Sequence, residues 1–252
     1  MSGIAEIARK YDTDKAVQTG YLVNYDTLFG HLREKDIRLL ELGINKGGSM
    51  YMWRDYFPRG VIVGLDLRPV DLRDPTGRIR TYVGGQDDIG LLAAIARENT
   101  PDGFDIIIDD CAHIGVLART SFWYLFENHL NSGGIYLLED WGTGYWDSWA
   151  DGAAYRGPSR TSTPLRFRAA RAIGHLQRAF SPGRPFLSRL KARLLKSQFK
   201  SHDIGMVGFV KELVDEMGME DITHQDHGIW SPRQSRFREL RILPGHVVVV
   251  KD

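Results

Sequence analysis

The chain has 252 residues, 42% of them apolar and 26% charged, with a formal net charge of +1. This composition supports one sizeable core or two small domains and excludes disordered, collagen-like and coiled-coil classes. The single cysteine, Cys111, excludes an internal disulfide and a cysteine-built zinc site, since both need partners.

The near-neutral total hides an asymmetry. Residues 152–202 carry twelve Lys and Arg and no Asp or Glu, so an acidic body of about −11 bears a basic segment of +12. No apolar run approaches the ~20 residues that cross a bilayer, and the first fifteen residues lack the apolar stretch of a signal peptide. A cytoplasmic protein is expected.

In chain order, residues 1–30 are expected to form a segment that lids a cofactor and substrate site. From Ile37 to Glu139, apolar runs of strand length alternate with stretches of helical period, the pattern of a parallel sheet built from βαβ units. Strands are expected at Ile37 to Leu42, Val61 to Leu65, Ile79 to Val83, Phe104 to Ile108 and Ile135 to Leu138. Helices are expected near Ser49 to Phe57, Ile89 to Arg97 and Val116 to Leu130, the last stopped by Asn131-Ser132-Gly133-Gly134. Residues 151–202 read as a basic insertion of two amphipathic helices, Leu165 to Phe180 and Leu187 to Phe199, parted by Ser181-Pro182-Gly183. Such helices dock on an anionic surface, a membrane interface or the acidic body of their own chain. A helix at Met206 to Met217 and a hairpin turning at Pro244-Gly245 then close an α/β fold. This is a mostly parallel seven-stranded Rossmann-like sheet with an antiparallel C-terminal pair, its core spanning residues 31–150 and 203–252.

The chemistry concentrates at the ends of these strands. Glu41-Leu42-Gly43-Ile44-Asn45-Lys46-Gly47-Gly48-Ser49 runs from a strand through a glycine turn into a helix, whose free N–H groups suit an anionic group. Its spacing differs from the dinucleotide fingerprint, and Glu41 before the first glycine would repel a pyrophosphate yet accept from an ammonium group. Asp66, just over twenty residues on, ends the second strand where an acidic side chain can bind both ribose hydroxyls. A nucleoside joined to an amino acid is S-adenosylmethionine. Gln86 and Asp87, after the third strand, fall at the same sheet edge and could read the adenine.

Asp109, Asp110 and His113 end the fourth strand, and Glu139 and Asp140 end the fifth. Clustered carboxylates repel unless a proton or cation neutralises them, and all-oxygen donors suit Mg²⁺ or Mn²⁺ rather than zinc. His113, three residues past Asp110, is placed to take a hydroxyl proton near neutral pH. No two-histidine, one-carboxylate set that would hold iron is evident, and His202, His224 and His227 read as surface or packing residues. Cys111 reads as a packed side chain.

These motifs, with Tyr11-Asp12-Thr13-Asp14-Lys15 and Tyr145-Trp146, resemble the class I, metal-dependent sugar O-methyltransferases of the mycinamicin, macrolide and polyketide antibiotic type. The resemblance covers Tyr11 to about Trp146 and the closing strands, not the basic segment. It implies that Asp110, Glu139 and Asp140 hold magnesium and that His113 is the base. It also implies that Thr13 and Lys15 lie near the cofactor and the mouth of the site. Glu41, Gly43, Gly48, Ser49, Asp66, Gln86, Asp87 and Asp109 are the further candidate cofactor-binding residues. His113 and Asp110 are the candidate catalytic pair. The family more often reads Asp-Asp-Gly-Ser-His, where this chain has Cys111-Ala112.

The expected activity is therefore S-adenosylmethionine- and Mg²⁺-dependent O-methylation of a sugar hydroxyl on a small molecule or saccharide, by a homo-oligomer. Trp141, Tyr145, Trp146 and Trp149 could face a pyranose ring, with two of the four packed inside. A catechol-type acceptor is one alternative. An RNA-binding methyltransferase using the basic insertion is another, but nucleic acid is disfavoured because an acidic pocket is a poor mouth for a polyanion. Peripheral membrane contact through 152–202 is a further expectation.

Overall fold

A computed structural model describes residues 3–17, 19–156, 201–219 and 234–252. The two expected basic helices, together with His224 and His227, lie outside the described residues. Among the described residues, seven strands form one sheet: β1 (Arg38–Leu42), β2 (Val61–Asp66), β3 (Ile79–Val83), β4 (Phe104–Asp109), β5 (Leu130–Glu139), β6 (Phe237–Ile242) and β7 (His246–Lys251). Their order is β3-β2-β1-β4-β5-β7-β6, with β3 to β5 parallel and β7 antiparallel to both β5 and β6. The mostly parallel seven-stranded sheet with an antiparallel end is as the apolar pattern predicts.

The central strands are buried on both faces, and their side chains alternate between two cores. Leu39, Ile106, Ile108, Leu137 and Val248 face one side, and Leu40, Ile107, Tyr136, Leu138 and Val249 the other. The first face is covered by α1 (Gly3–Ala8), α2 (Thr19–Phe29) and α3 (Gly48–Tyr56), which contribute Ile4, Tyr25, Phe29, Trp53 and Tyr56. On the second lie α4 (Ile89–Asn99), α5 (Gly115–Asn128) and the late helix, here α7 (Gly205–Met217), with Leu92, Phe122, Phe126 and Phe209. The segment before β1 is thus built into the core: Ile4, Tyr25 and Phe29 are fully buried.

One expectation needs correction. Asn131 to Gly134 do not stop a helix, because α5 already ends at Asn128 and these residues belong to β5. The Asn131 side chain donates to Gly103 O and Asp105 Oδ1, while Leu130 pairs with Phe104, so the glycine step is absorbed as a register shift.

A short helix, α6 (Ala150–Arg156), brings Asp151 beneath two other helices. Its Oδ2 accepts from Gly115 N at 2.8 Å and Met206 N at 2.7 Å, so one carboxylate caps both α5 and α7. Gly205 lies against it at φ +60°, where an added Cβ would fall 2.1 Å from Asp151 Cγ. Asp151→Ala is expected to lower the unfolding free energy by about 2–3 kcal/mol, since two caps of ~1 kcal/mol each are lost at a buried site. Urea denaturation measures this, and a loss below 0.5 kcal/mol, the scale of an uncoupled surface change, would contradict the shared cap.

Candidate active site

The strand order reverses between β1 and β4, which opens a crevice at the carboxyl edge of the sheet. A cavity of about 520 Å³ lies there. One of its walls is the glycine turn. Gly43 has φ +84°, and a Cβ on it would sit 2.2 Å from the Asp110 carbonyl oxygen, so β1 and β4 can close on each other only over a glycine. Gly48 opens α3 without a side-chain cap, and a Cβ there would fall 2.1 Å from Asp12 O. The Tyr11-to-Lys15 segment therefore packs its backbone against the start of α3. Tyr11 stacks on Tyr51 and donates to Asp55, which holds the segment in place.

Thr13, Lys15, Gly43, Gly48, Ser49 and Asp66 all line this cavity. Asp66 accepts from Ile44 N and Asn45 N through Oδ2 and from Arg68 N through Oδ1, tying the glycine turn to the end of β2. Glu41, Gln86 and Asp109 lie underneath, buried. Glu41 accepts from Ser49 Oγ at 2.7 Å. Asp109 accepts from Gln86 Nε2, Ser121 Oγ and Tyr136 OH, and Gln86 Oε1 in turn accepts from Ala112 N. Burial pushes the Asp109 carboxyl up to about 6, against the pull of its donors. This network fixes the turn that carries His113. Asp87 is exposed, beside the Asp88 that caps α4.

The opposite wall is acidic. Asp110, His113 and Asp140 line the cavity, and one donor atom from each lies within 4.8 Å of the others. His113 Nε2 is 3.7 Å from Asp110 Oδ1 and 3.9 Å from Asp140 Oδ2. Both His113 (φ +51°) and Asp140 (φ +52°) adopt the left-handed conformation, uncommon for residues other than glycine and recurrent at functional sites. Trp149 steadies the first turn, donating from Nε1 to Ala112 O while its ring packs 5.8 Å from that of His113. Burial and the nearby Glu139 push the Asp110 carboxyl up to about 7 although Lys15 pulls it down. Burial also raises Glu41 and Glu139. Cys111 is driven up to about 12, mainly by burial and then by Asp109, which leaves it a thiol.

Lys15 is singled out by its motif, whereas three further contributors, Tyr21, Tyr25 and His246, carry none. Lys15 is buried and reaches Asp110 Oδ2 at 2.7 Å, Glu139 Oε2 at 2.8 Å and Glu41 Oε1 at 3.4 Å. From α2, Tyr25 donates to Glu139 Oε1 at 2.6 Å and Tyr21 to Asp140 Oδ1. His246, paired with Glu139 across the sheet, is fully buried between these two tyrosines, and burial together with Lys15 depresses its pKa to about 4. The i, i+4 spacing of Tyr21 and Tyr25 on one helix is the only signal that could have found any of the three that lack a motif. Among the aromatics after β5, Trp141 donates to Leu243 O, Trp149 to Ala112 O, and Trp146 is 54% exposed. His202 is buried and stacks on Tyr155 at 4.0 Å.

Comparison with known proteins finds similarity to methyltransferases. A mycinamicin VI 2''-O-methyltransferase of Micromonospora griseorubida is 38% identical over 189 residues, 72% of this chain and 46% of that protein. An L-olivosyl-oleandolide 3-O-methyltransferase of Streptomyces antibioticus is 37% identical over 165 residues, 62% of this chain and 42% of that protein. The chain is a relative of the macrolide and polyketide sugar O-methyltransferases. It spans about half the length of the curated relatives it matches. Among solved structures, the MycE methyltransferase of the mycinamicin pathway, in complex with Mg, SAH and mycinamicin VI, superposes with a TM-score of 0.67. The two are 29% identical over 99% of this chain and 53% of that one. No family model matches the sequence. Among the described residues, no helix is long and apolar enough to cross a membrane.

Proposed function

We propose that the chain catalyses S-adenosylmethionine- and Mg²⁺-dependent methylation of a sugar hydroxyl on a glycosylated small molecule. One observation carries this reading: a single cavity joins the glycine turn, the uncapped start of α3 and Asp66 on one side to Asp110, His113 and Asp140 on the other. The first wall offers unpaired N–H groups to a carboxylate and an acid to ribose hydroxyls. Hard oxygen donors beside carboxyls held above their ordinary range make the second wall suited to a divalent cation. Asp110, Glu139 and Asp140 would hold magnesium, which when bound would lower the pKa of an acceptor hydroxyl and orient it.

This chain's own residues supply the rest. The glycine turn and Asp66 would hold the cofactor beside the acidic wall. The acceptor oxygen forms a bond to the cofactor's methyl as the sulfur–methyl bond breaks, so the sulfonium becomes a neutral thioether and the proton passes to His113 Nε2. The cavity lining includes Asp12, Asp14, Asp66, Asp110 and Asp140 against Lys15, Lys46 and Arg68, which disfavours a nucleic acid acceptor. Similarity to enzymes that methylate deoxysugar and rhamnosyl groups supports a sugar over a catechol.

The test is release of S-adenosylhomocysteine from S-adenosylmethionine with a panel of deoxysugar glycosides. Release is expected to stop in EDTA and return with excess Mg²⁺. Turnover that survives EDTA would remove the metal from the reading, and absence of S-adenosylmethionine binding in calorimetry would remove the activity.

A further inference from the structure

Lys15 is the one side chain of the Tyr11-to-Lys15 motif whose charge is driven into the interior. Its side chain is 2% exposed, and its ammonium meets three carboxylates that arrive from the ends of β1, β4 and β5. Glu41 and Glu139 are themselves fully buried. Both Glu139 oxygens already have donors, Lys15 on one and Tyr25 on the other, and Lys15 also takes Asp110 Oδ2. Only Asp110 Oδ1 is turned toward His113. A single positive charge thus serves three negative ones, and it engages two of the carboxylates assigned to magnesium in the preceding reading.

We propose that Lys15 is a built-in counter-cation that shares Asp110 and Glu139 with the divalent ion, holding the acidic floor together in its absence and weakening its grip when it binds. The proposal rests on the metal-site reading above. Two physical effects pull in opposite directions. Buried carboxylates left without a partner destabilise a fold strongly, so the ion-free protein needs the ammonium. A divalent ion on the same carboxylates would sit within several ångströms of that ammonium, where like charges repel appreciably even at the higher effective dielectric of a protein. A lysine that only packed would show the first effect without the second. Lys15 is therefore a positioning and charge-balancing residue rather than a catalytic one.

Lys15→Met keeps the length of the side chain and removes its charge. In the full chain, binding of Mn²⁺ can be followed by the electron paramagnetic resonance signal of the free ion, and melting can be compared in EDTA and in Mg²⁺. The variant is expected to melt below the wild type in EDTA, to bind Mn²⁺ roughly tenfold tighter or more, and to gain more from Mg²⁺ than the wild type does. Equal or weaker Mn²⁺ binding, with melting lowered alike in both conditions, would overturn the role given to Lys15. If Lys15→Met does not fold in EDTA, the pair Lys15→Met/Glu41→Gln removes one charge of each sign and is compared with Glu41→Gln alone. Tighter Mn²⁺ binding in the double variant supports the proposal, and equal binding overturns it. A wild type that binds no Mn²⁺ at millimolar concentration would refute the metal site itself, an outcome distinct from a wild type and variant that bind it equally.

Discussion

His113→Ala is expected to lower kcat by about 10²- to 10⁴-fold, the usual contribution of a positioned general base, while leaving S-adenosylmethionine and Mg²⁺ affinities within a few-fold of wild type. The imidazole stands at the acidic wall, with Nε2 3.7 Å from Asp110 and 3.9 Å from Asp140, and its turn is held from behind by Gln86 and Trp149. It can therefore accept a proton from a hydroxyl delivered to that wall without a rearrangement of the backbone. Position 113 has φ +51°, a left-handed conformation that already costs the wild-type histidine roughly 1–2 kcal/mol and that alanine holds less readily, an effect that has nothing to do with proton transfer. Asparagine tolerates this conformation, and His113→Asn separates the two effects. If the base is what matters, both variants lose turnover to a similar degree. Recovery of turnover in His113→Asn alone would show that the shape of the turn, not the imidazole, limits the reaction.

The sheet was legible because each central strand is a short, doubly buried run that reads as apolar without knowledge of its neighbours, as in Ile106-Ile107-Ile108 and Val247 to Val250. The first half of β5 was not. Asn131-Ser132-Gly133-Gly134 is a breaker by local chemistry, and it extends only because β4 offers Phe104 as a pairing partner and Asn131 finds Asp105. The same division runs through the site. Asp110, His113, Glu139 and Asp140 announce themselves as acids and a histidine crowded at strand ends, and Gly43 through Ser49 as a turn between a strand and a helix. Lys15 was legible through its motif, though its burial among three carboxylates was not, and Tyr21, Tyr25 and His246 come from elements remote in the chain and ordinary in composition. The two tyrosines are placed by how the segment before β1 folds back over the sheet edge and His246 by its register opposite Glu139, which no spacing within either segment encodes. Asp109 and Gln86 fall between these cases: their position at the carboxyl edge was readable, whereas their burial beneath the His113 turn depends on Ser121 and Tyr136 from two other elements.

Asp110→Asn is expected to abolish metal-dependent turnover, by ~10³-fold or more for loss of Lewis-acid activation together with acceptor positioning, and yet to leave the ion-free fold almost unharmed. The backbone at this position is fixed independently of the side chain, since Asp110 N donates to Leu42 O and its carbonyl packs on Gly43. The asparagine carbonyl can still accept from Lys15, which retains Glu41 and Glu139 as counter-ions. The charge itself is poorly tolerated without a metal, because burial and Glu139 push this carboxyl up to about 7. Neutralising it therefore removes repulsion about as fast as it removes attraction to Lys15, and the unfolding free energy in EDTA is expected to change by no more than about 1 kcal/mol. Metal linkage supplies the contrast. A ligand at a hundred times its Kd stabilises a folded protein by about 2.7 kcal/mol, which for a chain of this size raises Tm by roughly 5–10 °C at 2–4 °C per kcal/mol. Wild type is expected to show that rise with Mg²⁺, and Asp110→Asn to show none while melting at the wild-type temperature in EDTA. A variant that kept either the Mg²⁺-dependent rise or the turnover would take Asp110 out of the metal site, and one that failed to fold in EDTA would make it a structural partner of Lys15 first.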